Sequence, residues 1–187
     1  MVKPDSLYLA AKKMAELAQI PWPKFSKIYK ALQEGGTAAL LPLSSGRAIY
    51  YAQPNYISRM IIGLAGCDFE NGPRQAVLRF SRALSQHDGT RLEARLSGLL
   101  IGSETEELEN IEFHPDRDLA IISMMRGTEE FYIDDAIETK EAFEFDSTRW
   151  EPGPIRTRTI VDGDLLRLLK KQILWDTAFQ TTPVHEL

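Results

Sequence analysis

Near residue 103 the spacing of apolar side chains changes from a helical to an extended period, and this switch constrains the fold more than any other feature. Before it, Leu7, Ala11, Met14 and Ala18 recur at helical spacing over about 6–19. Phe25, Ile28, Tyr29 and Leu32 do so over 23–34, and Ile57, Met60, Ile61 and Leu64 from Pro54 to Gly66. Two further helices are predicted at about 73–86 (Ala76, Val77, Phe80, Leu84) and 89–101 (Leu92, Leu96, Leu99, Leu100). After the switch, Leu108-Glu-Asn-Ile-Glu-Phe113 alternates, Leu119–Met124 is dense in strand formers, and Glu130–Ile133 follows a turn at Gly127. An antiparallel meander is expected. Ile155–Ile160 alternates again, and Leu165, Leu166, Leu169, Ile173 and Leu174 give a closing helix over 163–175. Helices followed by short strands define an α+β protein.

The charge is divided along the same axis. Residues 1–62 hold eight basic side chains against three acidic ones, a net of +5, so the rest of a chain of net charge -5 carries -10. A basic end calls for an anionic partner; the acidic end serves another role. An apolar fraction of 43% and a charged fraction of 26% exclude a disordered or low-complexity chain. No apolar run approaches the roughly 20 residues of a spanning helix, so no membrane contact is expected. Asp5, Lys12, Lys13 and Glu16 interrupt the stretch where a signal peptide would be apolar, which predicts a cytoplasmic protein. A single cysteine, Cys67, and three histidines make a disulfide or a Cys/His metal site an unsuitable reading, and no cofactor is expected.

Within the basic end, Ala18-Gln-Ile-Pro-Trp-Pro-Lys-Phe-Ser-Lys-Ile28 has the parts of a helix-turn-helix. Ala18 is the small contact between the helices, Ile20 the apolar turn residue, and Phe25 and Ile28 the pair that holds the second helix. At about 100° per residue, Lys27 and Lys30 project opposite the Phe25/Ile28/Leu32 stripe, with Lys24 and Ser26 beside them. These four are the groove-facing candidates: the lysines for phosphate, Ser26 and Lys24 for base edges. Leu40–Ala52 places two apolar segments around Ser44-Ser-Gly-Arg47 and predicts a small hairpin with Arg47 at its tip.

The 18–28 stretch resembles the helix-turn-helix of bacterial repressors, with Gln19 where glycine is usual and Pro21 and Pro23 in place of the usual capping residues. The run from Ala31-Leu-Gln-Glu-Gly-Gly36 through Ser44-Ser-Gly-Arg47 resembles the recognition-helix end and Gly-Arg wing of winged-helix regulators. The element order as a whole loosely resembles winged-helix proteins of bacterial prophages. The resemblance implies an N-terminal winged helix-turn-helix (1–66), a helical connecting region (67–102) and a C-terminal α+β oligomerisation or partner domain (103–187). It also implies sequence-specific binding of double-stranded DNA by a homodimeric bacterial or phage transcriptional regulator. A small-terminase-like DNA-packaging component, or an adaptor that uses the helical pair for protein contacts, are the alternatives.

Catalytic constellations are weaker. Cys67 is a lone thiol beside Asp68, His114-Pro115-Asp116 with Asp118 reads as a turn between strands, and Asp134 and Asp135 point apart in an extended chain. Gly102, Gly127, Gly153 and Gly163 stand singly, without a phosphate loop, and Ser97-Gly98 falls inside a helix. The expectation is that the chain is not an enzyme.

Overall fold

The computed structural model describes residues 3–43, 49–67, 72–133 and 158–176. Six α-helices lie among them: α1 (Leu7–Leu17), α2 (Trp22–Gln33), α3 (Pro54–Ala65), α4 (Pro73–Phe80), α5 (Leu92–Ile101) and α6 (Gly163–Gln172). Five strands, β1 (Leu84–Ser85), β2 (Leu108–His114), β3 (Leu119–Met124), β4 (Gly127–Tyr132) and β5 (Thr159–Asp162), form one antiparallel sheet in the order β1-β4-β3-β2-β5. The mixed α+β class, with helices first and most of the sheet after, follows the period switch in the sequence. No helix among the described residues is long and apolar enough to cross a membrane.

Alternation puts one row of side chains on the helix-covered face of the sheet. Val161, Ile111 and Ile122 sit side by side across β5, β2 and β3, and Phe113, Ala120 and Phe131 do so across β2, β3 and β4. All six are buried. Phe80 of α4 meets Phe113 edge-on, ring centroids 5.5 Å apart, a geometry favoured by the ring quadrupoles. A single apolar cluster runs from Leu7 of α1 to Ile173 beyond α6 and draws on all three segments distinguished in the sequence. The α1 end is tied to the chain after α6: Asp5 N–H donates to the Leu174 carbonyl at 2.8 Å, and the Leu174 N–H donates to the Asp5 carboxylate at 3.0 Å.

Helix α4 stops at Phe80, six residues before the predicted end. Leu84 and Ser85 instead pair with Tyr132 and Phe131 of β4, where ladder hydrogen bonds replace helical ones. The chain then turns tightly through Asp88-Gly89, with Gly89 at φ 72° and the Asp88 carboxylate accepting from the Thr90 N–H at 2.9 Å. Helix α5 accordingly starts at Leu92 rather than near residue 89. Helix α6 follows β5 without a loop: the Asp162 side chain accepts from the Asp164 N–H as N-cap, and Gly163 lies directly against β2. A Cβ on Gly163 would stand 2.2 Å from the Leu108 carbonyl oxygen, a position open only to glycine.

The described flanks of the predicted 40–52 hairpin take partners other than each other. Leu40 and Leu41 N–H groups both donate to the Leu32 carbonyl, and the Gln33 amide donates to Pro42 O at 2.9 Å. Tyr51 forms a bridge with Ser6, while the Tyr50 carbonyl accepts from Leu7 N–H and Ala52 N–H donates to the Asp5 carbonyl. Arg47, placed at the hairpin tip from sequence, lies outside the described residues.

Candidate nucleic-acid interface

The turn between α1 and α2 is built from backbone. Ala18 caps α1, Gln19 follows in the left-handed region at φ 55°, and two reversed hydrogen bonds close the end: Gln19 N–H to Glu16 O (3.0 Å) and Ile20 N–H to Ala15 O (2.8 Å). This is a Schellman motif, which usually places glycine where Gln19 stands. A side chain is therefore carried at the strained position of a turn whose shape glycine usually supplies. Ile20 beyond it packs against the core cluster, as an apolar turn residue should. Pro21 occupies the N-cap of α2 without a side-chain hydrogen bond, and Pro23 lies in the first turn, where a missing N–H costs no helical bond.

Helix α2 buries Phe25, Ile28, Tyr29 and Leu32, the stripe expected from spacing. Lys24, Lys27 and Lys30 are all exposed, and none makes an ion pair among the described residues. They stand at i, i+3 and i+6, spanning about 9 Å of helix at 1.5 Å per residue. Their helix contains no acidic residue. Ser26, half-buried beside them, donates its hydroxyl to the Pro23 carbonyl at 3.1 Å, so its proton is engaged within the helix while its oxygen remains an acceptor. The far end of α2 is fixed by Arg74 of α4, whose guanidinium donates to the Glu34 carbonyl at 2.6 Å and to the Ala38 carbonyl at 3.0 Å. Gly35, at φ 107°, lets the chain pass beneath that guanidinium, which a Cβ would meet at 2.9 Å.

One part of this surface escaped the sequence reasoning. Tyr8 of α1, 47% exposed, meets Trp22 of α2 edge-on at 5.4 Å, and both rings lie 6.4 Å from Tyr29. The Lys12 ammonium sits 5.0 Å from the Tyr8 ring centre and 5.8 Å from that of Trp22, within cation–π range of both. Burial pushes the Tyr29 phenol above its ordinary pKa, opposed by the Gln33 side chain and reinforced by Tyr8. The signal was present as Tyr8 and Lys12 four apart on one helix and Trp22 and Tyr29 seven apart on the next. Only the crossing of α1 and α2 brings the two pairs together.

Several cationic groups elsewhere are engaged, whereas Lys3, Arg82, Arg91 and Lys171 are exposed and make no ion pair among the described residues. Arg95 on α5 borders a cleft of about 410 Å³ with Ser85, Asp88 and Glu129. Its guanidinium forks onto both oxygens of Glu129 and also reaches Glu104; these bonds, the Glu129 one foremost, hold it more firmly protonated than usual. Arg59 pairs with Glu93, Arg79 with Asp118 and Arg167 with Asp164. His114 lies 3.2 Å from Glu112, and Pro115–Arg117 forms a single 3-10 turn before Asp118, which takes a left-handed φ of 52°. No group of three or more metal-ligating side chains occurs among the described residues.

Comparison with known proteins supplies no relative: no protein-family model matches the chain, and neither a curated protein nor a solved structure is significantly similar to it.

Proposed function

We propose that this protein binds double-stranded DNA through the exposed face of α2, as a homodimeric, sequence-specific transcriptional regulator with a helix-turn-helix at its N-terminal end. The observation that carries the reading is the set Lys24, Lys27 and Lys30: three exposed ammonium groups on one helix face, free of carboxylate partners among the described residues, in a helix without acidic residues. Phosphate is the ligand that such a face accommodates best. Ser26, with a free acceptor lone pair, and Lys24 in the first turn are the residues assigned to base edges, and Arg47 to the phosphate backbone. The net +5 of residues 1–62 directs the anionic duplex to this end, while the -10 of the remainder discourages adhesion elsewhere.

The test is fluorescence anisotropy with a labelled duplex of about 30 base pairs across a salt series, in which three phosphate contacts, by Lys27, Lys30 and Arg47, predict a slope of log K against log salt of about -2.7. A fourfold rise in salt then weakens binding by about 40-fold. Lys27→Glu/Lys30→Glu removes the binding. Absence of binding by the unaltered chain at low salt refutes the proposal.

A further inference from the structure

We infer that Lys12 on α1 is a fourth phosphate contact, held in place by Tyr8 and Trp22, so that a duplex backbone is gripped by two helices rather than by α2 alone; the inference rests on the DNA-binding reading above. Lys12 is exposed and makes no ion pair among the described residues, although Glu16 stands four residues further along the same helix. Its side chain leans toward the helix N-terminus instead, as long helical side chains do, and its ammonium lies over Tyr8 and beside Trp22. A lysine held this way has already surrendered much of the rotamer freedom that a free surface lysine loses on binding, while its open side still faces solvent.

The position is continuous with the lysine face. Around α2, Trp22, Ser26, Lys30 and Lys27 follow one another at about 0°, 40°, 80° and 140°. The Tyr8–Trp22 contact therefore places the Lys12 cation on the border of the α2 face, beyond Ser26. This also accounts for Tyr8, which is 47% exposed yet packs its ring on two aromatic neighbours. The ring is the support on which the cation rests. Neighbouring Lys13 has a different role, since its ammonium is bonded to Asp5 at 2.7 Å.

The experiment compares the full chain with Lys12→Gln, Lys12→Arg, Tyr8→Leu and Lys27→Glu/Lys30→Glu in the same salt series. Loss of one phosphate contact reduces the steepness of the log K slope by about 0.9, and Lys12→Gln shows that reduction on every duplex sequence tried. Lys12→Arg restores the slope. Tyr8→Leu weakens binding several-fold while leaving the slope closer to that of the unaltered chain, because the charge is kept and only its support is lost. Circular dichroism and thermal midpoints of the Lys12 variants match the unaltered chain. If Lys12→Gln leaves slope and affinity unchanged while the α2 double variant loses binding, the inference fails and the α2 reading stands. If the unaltered chain does not bind at low salt, both fall.

Discussion

Replacing Asp5 tests how the two ends of the described chain are joined. The carboxylate is 5% exposed and accepts from the Leu174 N–H at 3.0 Å and the Lys13 ammonium at 2.7 Å. Lys13 reaches on to the Gln172 carbonyl at 2.8 Å, so one side chain organises the contact between α1 and the end of α6. Asp5→Ala leaves the Leu174 N–H without its acceptor and the half-buried Lys13 without its counter-charge. A hydrogen bond to a charged group contributes about 1.5–3 kcal/mol, and breaking a buried pair by removing one partner costs about 3–5 kcal/mol. Because Lys13 is 27% exposed and can turn to water, the lower part of that range applies, about 3 kcal/mol. Asp5→Asn keeps an oxygen for Leu174 and loses only the charge, at about 1–2 kcal/mol. Urea unfolding of both variants, with Lys13→Met completing a double-mutant cycle, separates the two terms; the thermal midpoint of Asp5→Ala falls by about 6–12 °C. A loss under about 0.5 kcal/mol for Asp5→Ala would refute the reasoning, since that is the range of an ordinary surface change.

Further outcomes follow from single positions. Gly163→Ala forces a methyl against the Leu108 carbonyl at 2.2 Å and costs at least about 2–3 kcal/mol in the same unfolding assay, because the obstacle is backbone and cannot rotate away. Gln19→Gly relieves the left-handed φ of 55° and raises stability by about 0.5–1 kcal/mol, with DNA affinity unchanged. Tyr132, pushed up to about 12 by burial and by its 2.6 Å hydrogen bond to Glu130, titrates well after ordinary tyrosines in a 295 nm absorbance titration. Its folded-state pKa lies above the unfolded one, so its stabilising effect is intact below pH about 10 and disappears as pH rises through about 12; Tyr132→Phe flattens that part of the pH–stability curve.

How much of this was legible in the sequence depends on how local the cause is. Helix α3 could be read from Pro54 to Gly66 because proline at its start, glycine at its end and one apolar stripe all act within the segment. The β2–β3–β4 meander was readable too, since β2 alternates, β3 is dense in strand formers and Pro115-Asp116 marks the first turn; β4, however, opens at Gly127 after a turn at Met125-Arg126, three residues before the strand expected from Glu130. Strand β1 was not: two residues have no period, and Leu84 belongs to a strand only because β4 lies beside it. The apolar Leu84 instead extended the predicted helix, although Asp88-Gly89 signalled a turn. The same limit governs the candidate site. The α2 lysines follow from one helix's projection, whereas the seat of Lys12 needs the angle between two helices.

The bond from Asp5 N–H to the Leu174 carbonyl also sets an order of events during synthesis. As the chain leaves the ribosome, α1 can coil early, but the groups that receive its leading end are made about 170 residues later, at the few residues per second of translation. Until Leu174 emerges, the apolar side of α1 and the buried carboxylate at its start lack part of their final surroundings. Such a chain waits in a partly docked state, which makes nascent-chain arrest upstream and downstream of residue 174 a direct view of when its two ends close.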